Sequence, residues 1–142
     1  MGRSLILLAL IIVACSHSSD DLLKEAAQVH NLSVKIGEHV AQKIQAIEEY
    51  AQTEADSLIR PQLLDSVIIL NEQLSDWENE LVEVPGNEHE GHDHDHHHEV
   101  SMELTPQMIL EIQREINQRI IALNVRSQRL LDQYSDESEL SL

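Results

Sequence analysis

Between Pro61 and Gly86 the chain reads PQLLDSVIILNEQLSDWENELVEVPG. Within it Leu63, Val67, Leu70, Leu74, Trp77, Leu81 and Val84 follow one another in alternating steps of four and three. A helix of 3.6 residues per turn puts all seven on one seam, the heptad arrangement that keeps an apolar edge against a partner helix. Pro61 disfavours helical geometry at Arg60 but is tolerated in a helix's first turn, while Pro85-Gly86 stops the helix. The spacing therefore predicts a helix from about Pro61 to about Val84, amphipathic and in need of neighbours.

The neighbours lie on either side. Upstream, Leu22, Ala26, Val29, Ile36, Val40, Ile44, Ile47, Ala51, Ala55 and Leu58 recur at helical steps, with Ser33 in the gap. Lys24, Glu38, Gln42, Gln45 and Glu49 occupy the opposite face, so this is one apolar stripe rather than a buried rod. Gly37 lowers helix propensity by about 1 kcal/mol against Ala and permits close approach of a neighbouring helix. Downstream, Thr105 suits an N-cap and Pro106 the first helical position, with Leu104 and Ile109 placed as a hydrophobic staple. The stripe then runs Ile109, Ile112, Ile116, Ile120, Leu123, Leu130 and Tyr134, widened by Ile121 and Val125. Ser135 to Leu142 is polar and acidic and is expected to fray.

Three one-faced helices bury their stripes most economically as an antiparallel three-helix bundle, all-α, with a long first helix. A coiled-coil oligomer is the rival architecture. The expected organisation is a leader over 1–14, a tether over 15–19, helices 1 and 2 over 20–84, a His/Asp/Glu-rich loop over 85–104, helix 3 over 105–135 and an acidic tail over 136–142. At about 38 residues helix 1 would reach ~57 Å against ~36 Å for helix 2. The overhang near Leu22 to Val29 must pack on helix 3, pair with a second copy, or stand as a stalk.

Composition narrows the function classes. Among 142 residues, 26 acidic side chains outnumber nine basic ones, for a formal charge of −17, and aromatics contribute 2%. Nucleic acid binding needs a basic face and is excluded as an expectation. Four Gly and three Pro supply too few turns for an all-β fold.

Arg3 precedes an unbroken apolar run from Leu5 to Ala14. As a helix it spans about 15 Å, half of a bilayer's hydrocarbon core, so it fits a secretory signal better than a membrane span. Its end, Ile12-Val13-Ala14-Cys15, resembles the bacterial lipobox. The resemblance implies cleavage before Cys15 and lipid on the Cys15 sulfur and amino group, a stable membrane anchor. An ordinary signal with an incidental Cys is the plainer alternative, but Cys15 is the chain's one cysteine. Ser16 in place of Asp implies the outer membrane. Ser19-Asp20-Asp21 looks like the acidic export signal of surface lipoproteins of Bacteroidota, although a Ser19 cap with two acids in the first turn is the preferred account and both can hold.

The informative gap is the nearly twenty-residue connection before helix 3, since loops of that length are usually functional or disordered. Residues 88–99 read Glu88, His89, Glu90, Gly91, His92, Asp93, His94, Asp95, His96, His97, His98 and Glu99. Nothing apolar lies among them, so the loop is expected to be disordered. Neutral imidazole is the commonest protein ligand for borderline metals, and carboxylates add charge and oxygen donors. Eleven candidate donors on an adaptable chain can assemble several four-ligand sets for Zn²⁺, with Ni²⁺ and Cu²⁺ as competitors. Ordering the chain at each binding event keeps affinity moderate and the ions exchangeable. Protonation of the imidazoles should weaken binding below roughly pH 6. A solvated or pH-sensitive linker is the bland reading of the same residues.

The segment Trp77-Glu78-Asn79-Glu80-Leu81-Val82-Glu83-Val84-Pro85-Gly86-Asn87-Glu88-His89, with the His/Asp tract after it, resembles a signature of small helical His-rich lipoproteins of Bacteroidota. That resemblance implies an address and a helical architecture and carries no activity. The tract alone is similar in composition to the mobile His-rich loop of zinc solute-binding proteins, whose two α/β lobes have no counterpart in this pattern.

His30 and His39, nine positions apart, fall on opposite faces of helix 1 and are expected at the surface or boundary. His17 belongs to the tether, and Trp77 to the core. Asp76, Glu78, Glu80 and Glu83 form an acidic face, solvated by default and an entry path for cations in the sharper reading. No His-Glu-x-x-His, Gly-x-Ser-x-Gly or phosphate-cradling glycine loop occurs, and the one Cys is committed to lipid, so no enzyme is expected. The functional expectation is a lipid-anchored envelope protein that binds or buffers Zn²⁺, Ni²⁺ or Cu²⁺ through residues 88–99. The alternative is a structural or adaptor lipoprotein that uses its bundle seams for self-association or an envelope partner, with metal binding incidental.

Overall fold

A computed structural model describes residues 18–53, 58–87 and 104–139, with side chains described as far as 134. The described residues form three helices packed together and contain no strand: α1 (Ser19–Thr53), α2 (Ile59–Asn79) and α3 (Pro106–Glu139). Each helix buries one stripe. Val40, Ile44, Ile47 and Ala51 of α1 meet Leu63, Val67, Leu70, Leu74 and Trp77 of α2 and Ile116, Ile120 and Leu123 of α3 in one core. Burial of this apolar surface is the main stabilising term. At one end Tyr50 and Tyr134 close the core, their ring centroids 6.1 Å apart.

Contact partners on α1 and α3 rise together along the chain: Glu25 with Arg114, Ser33 with Asn117, Lys43 with Asn124. On α2 and α3 they run in opposite order, Gln73 meeting Arg126 and Glu80 meeting Arg119. The α1–α3 seam is the most extensive of the three and the α2–α3 seam the least filled.

Helix starts follow local chemistry. Thr105 caps α3 as expected, its Oγ1 accepting from the Met108 amide at 3.3 Å, and Leu104 packs in the same cluster as Ile109. The α1 cap is Ser18 rather than Ser19: Ser18 Oγ accepts the Asp21 amide and donates to Asp21 Oδ2 at 2.7 Å, a reciprocal pairing of cap and third residue.

Two boundaries differ from the sequence reading. α2 stops at Asn79, not near Val84. Leu81 and Val84 are nonetheless packed inside, Leu81 against the main core and Val84 at 2% exposure in a second cluster. The heptad reported burial correctly and helicity only as far as Asn79: the Glu80 and Leu81 amides turn to the Trp77 and Glu78 carbonyls three residues back, and the Val82 carbonyl that follows accepts from Gln113 of α3. α3 runs on to Glu139, four residues past the expected end.

The overhang of α1 is also resolved. Ala26, with Leu22, Leu23, Ala27 and Val29 beside it, packs against Ile109, Leu110, Leu104 and Val84. The first turns of α1 therefore lie on α3 and on the chain that follows α2, within one molecule.

Candidate functional site

The expected metal donors, Glu88, His89, Glu90, His92, Asp93, His94, Asp95, His96, His97, His98 and Glu99, lie outside the described residues, as do Cys15 and His17. What the structure places is the pair of attachment points on either side of that segment. On the upstream side Pro85 and Gly86 form a turn with Gly86 at φ 79°, a conformation that favours glycine, and the Asn87 amide returns to the Val84 carbonyl at 3.0 Å. Asn87 then exchanges two side-chain hydrogen bonds with Asn31 of α1: its Nδ2 donates at 3.0 Å and its Oδ1 accepts at 3.3 Å. On the downstream side Leu104 is packed with Ala26 and Ile109, one residue before the Thr105 cap. Both attachment points thus sit on the half of the bundle where α1 begins.

Between the two apolar clusters lies a polar layer. His30 is 3% exposed, and Ser33 and Gln113 are fully buried. Gln113 ties three elements: its Oε1 lies 3.3 Å from His30 Nδ1 on α1, and its Nε2 donates to the Val82 carbonyl beyond α2. One turn along, Asn117 Nδ2 donates to Ser33 Oγ at 2.9 Å, and Ser33 Oγ donates to the Val29 carbonyl at 2.8 Å. Among the described residues every buried side-chain polar atom has a partner. A satisfied network of this kind specifies one register between helices, because a shift would leave its members unpaired at about 1–3 kcal/mol each.

His30 corrects the sequence reading, which put it at the surface or boundary; His39 is exposed, consistent with the opposite face. The layer had a sequence signal. Ser33 interrupts the α1 stripe, and Gln113 stands four residues after Ile109 and three before Ile116, at a position where an apolar residue would continue the seam.

Trp77 is a core residue, as its heptad position implies: it is 4% exposed and its Nε1 donates to the Ile116 carbonyl at 3.1 Å. The acidic face near it is partly neutralised. Glu80 pairs with Arg119, and that hydrogen bond, more than the charge attraction alone, holds the Glu80 carboxyl below the usual carboxylate range and raises the Arg119 guanidinium.

Among the described residues no group of three or more His, Cys, Asp or Glu is placed to hold a metal ion, and no helix is long and apolar enough to cross a membrane. Comparison with known protein families, curated proteins and solved structures yields no match.

Proposed function

We propose that this chain is a bacterial envelope lipoprotein, anchored to the outer membrane through lipid on Cys15, whose helical bundle carries residues 88–99 as an element that binds or buffers divalent transition metals. One observation carries the metal reading: six imidazoles and five carboxylates within twelve consecutive residues. The opposed order of contacts along α2 and its neighbours supports an antiparallel, up–down–up arrangement.

The attachment points support a location for the donors. Asn87 is held on Asn31, and Leu104 packs beside the first turns of α1. From Cys15 to Ser18 the chain can span at most about 11 Å. A lipidated Cys15 therefore keeps this end of the bundle near the bilayer surface, where loosely held Zn²⁺, Ni²⁺ or Cu²⁺ would be within reach of a membrane-resident carrier.

Calorimetry at pH 7.5 on the lipid-free mature chain, beside a variant with His89, His92, His94, His96, His97 and His98 changed to Ser, tests the binding. The native chain should take up Zn²⁺ well below millimolar concentration and the variant should not. Equal titrations, or none tighter than about millimolar, reject the reading. Growth of a deletion strain under metal starvation and metal excess tests the biological role.

The adaptor reading draws on a different observation. Leu64 and Ile68, one turn apart on α2, are exposed, and Leu58 is 75% exposed. Light scattering with and without metal separates the two: a metal-independent oligomer favours the adaptor.

A further inference from the structure

Tyr50, near the end of α1, and Tyr134 of α3 are the two tyrosines of the sequence, 84 residues apart. Their ring centroids lie 6.1 Å apart and their planes are tilted by 35°, within the range in which aromatic rings touch. Both rings are partly buried and pack against the main core. They also line a cavity of about 150 Å³, shared with Ala46, Leu63, Leu130 and Leu131. A space of that size admits a small molecule to the rings.

Packing alone does not call for phenols here. Apart from Trp77, aliphatic side chains fill the rest of this core, and a pair of Phe would bury the same rings without hydroxyls; the sequence has no Phe. What a phenol adds is chemistry, since it gives up one electron and one proton where an aliphatic side chain does not. The other oxidisable groups are placed differently. Trp77 is enclosed in the core, and Met108 is exposed at the opposite end of α3 from Tyr134. Cys15 is the one cysteine in the sequence, so no disulfide can join two parts of this chain.

We propose that Tyr50 and Tyr134 are an oxidative cross-linking site, at which a peroxide-derived one-electron oxidant joins α1 to α3 as dityrosine. Each phenol loses an electron to the oxidant and its hydroxyl proton to solvent. The two phenoxyl radicals then form a C–C bond between ring carbons ortho to the oxygens, and the hydrogens displaced from those carbons return to the oxygens. The balance is one new bond, two electrons to the oxidant and two protons to solvent, with both hydroxyls kept. Holding the rings in contact makes the coupling intramolecular. The large excess of acids over bases in the sequence keeps a second copy away from the radical. As with a disulfide, a bond between residues this far apart restricts the unfolded chain, so the linked bundle is the more stable one. This proposal is independent of the metal reading.

The test exposes the full, detergent-solubilised chain at low concentration to a photoactivated ruthenium complex with persulfate, a source of one-electron oxidant. Intact mass, peptide mapping and dityrosine fluorescence read the product. The expected product is a monomer two hydrogens lighter, with one linked peptide that contains Tyr50 and Tyr134. Tyr50→Phe and Tyr134→Phe, which keep the rings, should each abolish it. The linked monomer should melt about 5 °C or more above the untreated chain. Covalent dimers as the main tyrosine product overturn the proposal, as does oxidation of Trp77 or Met108 with both tyrosines left intact. A linked monomer that persists in either Phe variant places the bond elsewhere and also overturns it. A linked monomer no more stable than the untreated chain overturns the stabilising role.

Discussion

A Cβ built on Gly37 of α1 would lie 2.7 Å from Cζ3 and 2.9 Å from Cη2 of Trp77 on α2. The glycine is therefore where the α1 backbone approaches the six-membered ring of the indole, which occupies the space a side chain would need. The ring has little freedom to retreat, being 4% exposed and hydrogen-bonded to the Ile116 carbonyl. This contact sets the spacing between α1 and α2 at the level where the main core meets the polar layer.

Gly37→Ala should destabilise the fold. Alanine adds roughly 1 kcal/mol of helix propensity, but overpacking against a fixed ring costs about 1–3 kcal/mol. The urea midpoint should fall in Gly37→Ala and rise or stay level when the same change is made in a Trp77→Leu background. A higher midpoint in the single variant would show that the ring moves freely.

Gln113→Leu should cost about 2 kcal/mol despite burying a more apolar side chain, because the Val82 carbonyl loses its donor and His30 loses a partner inside the bundle. Chemical denaturation measures the loss. Hydrogen exchange should show faster opening of residues 81–87 than of the α1–α3 core. Native stability in Gln113→Leu would mean the layer contributes nothing to the register.

Acid should remove the contribution of the Glu80–Arg119 pair. The folded-state carboxyl of Glu80 is depressed below 4.5, so its stabilisation is present above the unfolded value and disappears as pH falls through the folded one. Both side chains are about half exposed, so the effect is small and salt-sensitive. The stability difference between native chain and Glu80→Gln should be constant above about pH 6 and vanish in acid. A difference that grows on acidification would reverse the assigned sign.

Cys15→Ser should abolish incorporation of labelled fatty acid and release the protein from the membrane fraction, as expected when several acyl chains on one residue form the anchor. Retention of label in the variant would place the lipid elsewhere.

Much of the helical layout was legible because apolar spacing is a local property. The stripes of α1, α2 and α3, the Thr105 cap, the Leu104–Ile109 staple and the close approach at Gly37 all depend on residues a few positions apart or on the absence of a side chain. The sequence misled where burial and helicity part company. Leu81 and Val84 continue the heptad of α2 and are packed inside, yet they lie beyond its end, and the Val82 carbonyl between them is taken by Gln113, 31 residues away.

By itself the amino-acid order determined that the chain makes one-faced helices, that its surface is strongly acidic, and that its imidazoles crowd into residues 88–99. Tertiary packing alone decided that the first turns of α1 lie on α3, that His30 is inside, that Asn87 is fastened to Asn31, and that Tyr50 lies against Tyr134. The division has a physical cause. Periodicity tells each helix which face to hide, whereas His30 and Gln113, 83 residues apart in the chain, acquire each other as partners only after those faces have docked.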